Sequence, residues 1–235
     1  MKNYKYLNLP ASSIISKTIF KKQFYSNADI SSSDIALFTN RISKITWLYS
    51  LRPDTINVQP YKDEIREYTE IEIIEVEITV DKGIGRIAEI IIKSIPYPIL
   101  LIFRLDDKTA FYAALQRTNL SDCSKNIIEQ TVKTDWLDPD STLFAMLNFK
   151  KFRFMNYFTI YTDLVDTISV YNIEKLVDDT NGLTGEQARA ILAKAEELER
   201  QIAMFRAELK QETQFNRKME LNLIIKDLES QRKSF

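Results

Sequence analysis

Residues 71–105 read IEIIEVEITVDKGIGRIAEIIIKSIPYPILLIFRL, and the punctuation of this stretch decides the fold class. Ile71, Ile73, Val76, Ile78 and Val80 fall on one side of an extended segment and Glu72, Glu75 and Glu77 on the other. The phase slips at Ile73-Ile74, as a bulge there would produce. Gly83-Ile84-Gly85 ends the strand, and Ile84, Ile87, Ala88, Ile91 and Ile95 then recur at spacings of three and four, the mark of a helix laid on a sheet. Pro96-Tyr97-Pro98 stops that helix, and Ile99 to Leu105 is a continuous apolar run of strand length. Asp106-Asp107-Lys108 is a turn, Thr109 to Gln116 returns antiparallel, and Ile127 to Trp136 supplies a further strand. The order β, α, β, β, β predicts an α+β domain, a mostly antiparallel sheet with packed helices.

Upstream, Leu7-Asn8-Leu9-Pro10 reads as an extended entry, and Ala11 to Ile15 as one or two helical turns capped by Ser12 or Ser13. Ser31 to Phe38 reads as a capped short helix, and Ile42 to Tyr49 as a strand ended by Arg52-Pro53-Asp54.

Downstream, the breakers vanish. All six prolines lie at or before Pro139, and beyond it only Gly182 and Gly185 remain of four glycines. Phe154, Tyr157, Phe158, Tyr161, Leu164, Val165 and Ile168 form a helical stripe, Asp178 to Gly182 closes that helix, and Thr184 with Gln187 makes a capping box for the next. Thr184 to Arg232 then predicts one helix of roughly fifty residues, about 75 Å long. The expected organisation is an α+β domain over 1–139, a helical connector packed on it over 140–181, and a long coiled-coil-like arm over 184–233. Ile191, Ala195, Leu198, Ile202, Phe205 and Leu209 keep the spacing of a coiled-coil seam; the frame then meets Glu212 and Asn216 and resumes, shifted, at Leu221, Ile225 and Leu228. Such a change of frame implies a stutter, or different partners for the two halves.

The totals exclude much chemistry. With no histidine among 235 residues, Ser-His-Asp and Cys-His hydrolysis and His-ligated metal centres are ruled out. A single cysteine, Cys123, excludes an internal disulfide and fits a reducing compartment. No apolar run approaches the ~20 residues of a membrane span, so a cytoplasmic protein away from membranes is expected. No GxxxxGK[ST] or GxGxxG occurs, and no cofactor is implied. The net charge of −1 does not suit a protein built chiefly to grip duplex DNA.

Three constellations remain. A seam of Ile191, Leu198, Ile202, Phe205 and Leu209, with Asn216, Arg217 and Lys218 setting specificity, would dock a partner; the alternative is a solvated face beside a small apolar contact. Lys150, Lys151, Phe152 and Arg153 combine cations with aromatics, as a single-strand-binding surface does, or else form a connector whose phenylalanines enter the core. Glu75 and Glu77 on one strand face raise a magnesium-dependent nuclease, or else belong, with Glu72, to the wet face of a sheet.

Glu212 to Asn222, with Leu7-Asn8-Leu9-Pro10, Ile45-Thr46-Trp47, Asp54-Thr55-Ile56-Asn57, Ile95-Pro96-Tyr97-Pro98 and Lys133-Thr134-Asp135-Trp136, resembles a bacterial and archaeal family, domain of unknown function 4391. The resemblance spans nearly the whole chain. It implies an accessory protein of restriction or anti-phage defence loci, encoded beside helicases and methyltransferases, and brings no catalytic residues. Together these readings predict a non-enzymatic interaction protein that docks, through its C-terminal helix, on itself or on a helicase or methyltransferase; nucleic-acid binding and magnesium-dependent cleavage are the alternatives.

Overall fold

The computed structural model describes residues 4–25, 30–119, 126–175 and 182–233. The chain divides into two compact units, Met1–Ile168 and Ser169–Phe235.

In chain order, the first unit contains β1 (Ile14–Thr18), α1 (Lys22–Tyr25), α2 (Ser32–Arg41), β2 (Ile42–Leu51), α3 (Pro53–Ile56), β3 (Tyr61–Lys62), β4 (Glu67–Tyr68), β5 (Ile71–Ile78), α4 (Ile84–Ser94), β6 (Ile99–Leu105), β7 (Lys108–Thr118), β8 (Asn126–Lys133), α5 (Leu143–Met146) and the start of α6 (Tyr157–Glu174). A six-stranded sheet runs in the order β1-β2-β5-β6-β7-β8, with β3 and β4 as a separate pair. The strands β5 and β6 pair parallel through the α4 crossover, and the other neighbours pair antiparallel. The fold is therefore α+β with a mostly antiparallel sheet, as the punctuation of 71–105 predicts.

Two local expectations change. Ala11–Ser13 makes a single 3-10 turn, and Ile14 already belongs to β1, because pairing with β2 captures the segment that the serines would have capped. The phase slip expected in β5 is absent. Every residue from Glu72 to Glu77 has its own partner from Ile99 to Arg104 on β6, so β5 alternates strictly and the irregularities fall between Ile42 and Lys44 and between Trp47 and Tyr49, on β2. Ile71, Ile73, Glu75 and Glu77 thus share one face, and Glu72, Ile74, Val76 and Ile78 the other.

Both faces are covered. On the Glu72 side, Phe24, Phe38, Ile87 and Ile91 from α1, α2 and α4 pack on Ile45, Ile74, Val76, Leu101 and Phe103. Gly83 adopts φ +81° at the start of α4, where a Cβ would come within 2.7 Å of the Leu37 side chain. Ser31 and Asp34 cap α2 reciprocally, and Asp34 takes both the Nε and a terminal nitrogen of Arg86 at 2.9 Å, tying α2 to α4. That pairing holds the Asp34 carboxyl well below the usual carboxylate range. On the Glu75 side, the Tyr161 hydroxyl of α6 donates to the Ile99 carbonyl at 2.7 Å and accepts from the Ala114 N–H at 3.0 Å. Tyr68 bridges both backbone groups of Gln116 in the same way.

In the second unit, the stretch expected as one rod is two helices, α7 (Gly185–Gln211) and α8 (Phe215–Lys233). Thr184 and Gln187 form the predicted capping box of α7. The break has a local hydrogen-bonded form: Glu212 turns extended, at ψ 142°, and its carboxylate accepts the N–H groups of Thr213 at 2.7 Å and Gln214 at 2.8 Å, the two residues that lead into α8. These hydrogen bonds lower the Glu212 pKa. The ion pairs Arg206–Glu229, Arg217–Glu208 and Arg232–Glu199 show that α8 returns antiparallel along α7. Leu198 and Ile202 meet Ile225 and Leu228 between them, with Phe205 and Leu209 partly buried at the margin. A straight rod would have left that edge in water; the hairpin closes it on itself.

Cysteines placed at Arg206 and Glu229 in a Cys123→Ser background should be joined within one chain by a short bismaleimide cross-linker of about 10 Å reach, since the ion pair between these side chains brings the two positions side by side. A continuous helix would hold those positions roughly 35 Å apart. Mass spectrometry showing only unlinked or intermolecularly linked chains would contradict the hairpin.

Candidate functional site

Glu72 stands at the wall of a cleft in the first unit. Its carboxylate points to the helix-covered face of β5, only 3 % exposed. The Ser50 hydroxyl donates to it at 2.9 Å, and the Trp47 indole N–H donates to its other oxygen. Register explains the grouping, since Ser50 is the β2 partner of Glu72, and Trp47 is brought near by the bulge before Tyr49. Above them lies a cleft of about 440 Å³ lined by Ile19, Gln23, Phe24, Trp47, Glu70, Glu72, Ile74, Ser94, Ile95 and Tyr97. The Tyr97 hydroxyl bonds to Glu70, which raises its pKa.

Burial dominates the chemistry of Glu72. It pushes the carboxyl up to about 7, against the lowering effect of the Ser50 and Trp47 hydrogen bonds. A carboxyl so placed changes charge near neutral pH. Reasoning from sequence grouped it with Glu75 and Glu77 as a solvent-facing row, because an acidic residue between isoleucines suggests a half-exposed strand. No signal in the sequence separates it from its neighbours.

Glu75 and Glu77 lie on the opposite face, so the three carboxylates do not converge. Glu75 is 4 % exposed and accepts a hydrogen bond from the Tyr4 hydroxyl, which burial and that carboxylate together drive above its ordinary range. Glu77 has Lys44 as its β2 partner and Arg104 as its β6 partner. The wet face expected for Glu72 and Glu75 is thus a correction: helices and the N-terminal segment cover both sides of β5. Among the described residues, no group of three His, Cys, Asp or Glu side chains is placed to hold a metal ion. Beside Glu75, Tyr6 Oη, Thr46 Oγ1 and Arg104 Nε are buried without a hydrogen-bond partner among the described residues.

The seam residues fall together. Leu198 and Ile202 are buried in the hairpin, Phe205 and Leu209 pack beside them, and Ile191 is half-buried on the same helix. Their partner is α8, so this seam is occupied. Arg217 is held by Glu208 at 3.1 Å and Glu220 at 3.0 Å, Lys218 is half-buried, and Asn216 is exposed. In the basic-aromatic string, Phe149 and Phe152 are buried and in ring contact at 4.9 Å, so Phe152 offers no stacking face. Lys150 and Lys151 are exposed, and Arg153 is ion-paired with Asp163. Cys123 lies outside the described residues. What the sequence reading missed on the surface is a stripe on the outside of α8: Phe215, Met219 and Leu223 are 74 %, 50 % and 65 % exposed. Their spacing of four was visible, but the assumption of a single rod drew attention to the seam.

Titration of Glu72 has a definite sign. Its carboxyl ionises near 4.5 unfolded and near 7 folded, so the native state holds the extra proton between those values, and stability falls as pH rises through that window. Relative to Glu72→Gln, the wild type should lose up to about 3 kcal/mol between pH 5 and pH 8. Urea unfolding of both proteins at the two pH values reads the difference; parallel behaviour would contradict the assignment.

No curated protein and no solved structure matches the chain. No helix among the described residues is long and apolar enough to cross a membrane. The family described as domain of unknown function DUF4391 matches residues 7–231. A match that runs through the sheet, the Glu72 cleft and both helices of the hairpin covers nearly everything described above, and the chain belongs to the DUF4391 family.

Proposed function

We propose that this chain is a non-enzymatic accessory protein that docks on a partner protein through the outer face of its C-terminal hairpin. The observation that carries this reading is the stripe of Phe215, Met219 and Leu223, largely exposed and one helical turn apart. On α8 these side chains point away from Leu221, Ile225 and Leu228, which are buried. They span about 12 Å, the length of a short helix-in-groove contact. Lys226 and Lys233 continue the line toward the end of the helix, both exposed. The partner surface that fits is an apolar groove or helix face with carboxylates at one end. Asn216 stands on the rim of the stripe, where an amide can set register.

A restriction or anti-phage defence setting, with a helicase or methyltransferase as the partner, is supported by the family resemblance. The inner seam of Ile191, Leu198, Ile202, Phe205 and Leu209 has a different part in this reading: it holds the hairpin rigid, so that the outer stripe meets its partner without an ordering cost.

Phe215→Asp combined with Leu223→Asp should leave far-UV circular dichroism and the melting temperature unchanged, because both side chains already face water. Tagged wild-type chain purified from its own cells should carry a helicase or methyltransferase, and the double variant should carry at least tenfold less. Equal recovery with both chains would refute the docking surface. A stripe-dependent dimer by light scattering, with no second protein, would reassign the surface to self-association.

A further inference from the structure

Among the described residues, Glu72 is a buried acid without a counter-charge against it. Both carboxylate oxygens receive neutral donors, the Ser50 hydroxyl and the Trp47 indole. The cation whose field reaches it, Arg52, is ion-paired with Asp54 at 3.2 Å. A second carboxylate, Glu70, lines the same cleft with the polar side chains of Gln23, Ser94 and Tyr97, and the rest of the wall is apolar, from Ile19, Phe24, Trp47, Ile74 and Ile95. Two acids at the polar end of an apolar chamber repel anions. Hard metal cations are also a poor match, since they require about six oxygen ligands or more and this lining is mostly hydrocarbon. The volume of about 440 Å³ lies in the range of small-molecule sites.

We propose that the cleft binds a small organic cation with an apolar body, an aryl amidine, aryl guanidine or aralkylamine in class. Its charged nitrogens lie against Glu72 and Glu70, and its body packs on Phe24, Trp47 and Ile95. Each Glu72 oxygen accepts one protein donor and retains a lone pair, so a planar group with two parallel N–H bonds can be received side-on. The ligand supplies the positive charge that the fold withholds, and the apolar walls exclude the water that would otherwise screen the pair. This site belongs to the first unit, and it stands or falls independently of the docking stripe on α8.

Benzamidine is the probe, and benzamide, equal in shape but neutral, is its control. With the full chain at pH 8, benzamidine should bind saturably in calorimetry with a dissociation constant at or below the millimolar range. It should also move the Trp47 indole N–H resonance, which Trp136→Phe distinguishes from the second tryptophan. Benzamide should bind at least tenfold more weakly. Glu72→Gln should weaken benzamidine at least tenfold, and Ile95→Trp, which fills the cleft from a half-buried edge position, should abolish binding even if the Gln variant proves too unstable to assay. Absence of saturable binding, equal binding of benzamide, or binding that survives both variants would overturn the proposal.

Discussion

The constraint on which the first unit depends is the burial of β5 on both faces. A parallel pair joined by a helical crossover brings that helix down on one side of the sheet, and the N-terminal segment with α6 takes the other. A strand so enclosed should be apolar throughout, yet β5 carries acids at Glu72 and Glu75. Each is therefore housed separately. Glu75 is answered by a tyrosine and charged neighbours on its own face, whereas Glu72 has a hydroxyl, an indole and an open cleft. The difference between these two environments leaves Glu72 poised near neutrality with space in front of it.

The second unit is shaped by a different balance. The apolar positions between Ile191 and Leu228 cannot remain in water without finding a cover, and the chain supplies one by folding at Glu212. The turn contains neither glycine nor proline. It works because one carboxylate takes the amides of the two linker residues, Thr213 and Gln214, which offsets the loss of helical hydrogen bonds at the break. Once the seam is closed, the apolar side chains left exposed on α8 are those of the face that does not take part in it.

The elements of residues 71–105 were legible because their signals are local: glycines before α4, two prolines after it, and an unbroken apolar run for β6. Capping boxes at Ser31 and Thr184 were equally readable, although the notable partner of Asp34 is Arg86, fifty-two positions away, which no local pattern reveals. The bulges were misplaced for a physical reason. When both faces of a strand are buried, polarity no longer reports which way a side chain points, and the pair Ile73-Ile74 mimics a slip that belongs to Trp47 and Tyr49 on the neighbouring strand. The turn at Glu212 was half visible, as a break in the seam's frame. The Glu72 cleft was not visible, since its walls come from segments between Ile19 and Tyr97 that only the tertiary structure assembles.

The sheet is also guarded at its margins. One outer strand, β1, is short, mostly exposed and distorted at Ser16, which adopts φ +51° beside the irregular pairing of Ile14 and Lys17. The other, β8, turns Glu129, Thr131 and Lys133 toward solvent. Twisted or charged borders of this kind discourage a neighbouring chain from adding a strand. Lateral growth of this sheet into fibrous or stacked aggregates is thus disfavoured at both rims, which favours association through side chains over main-chain pairing along its edges.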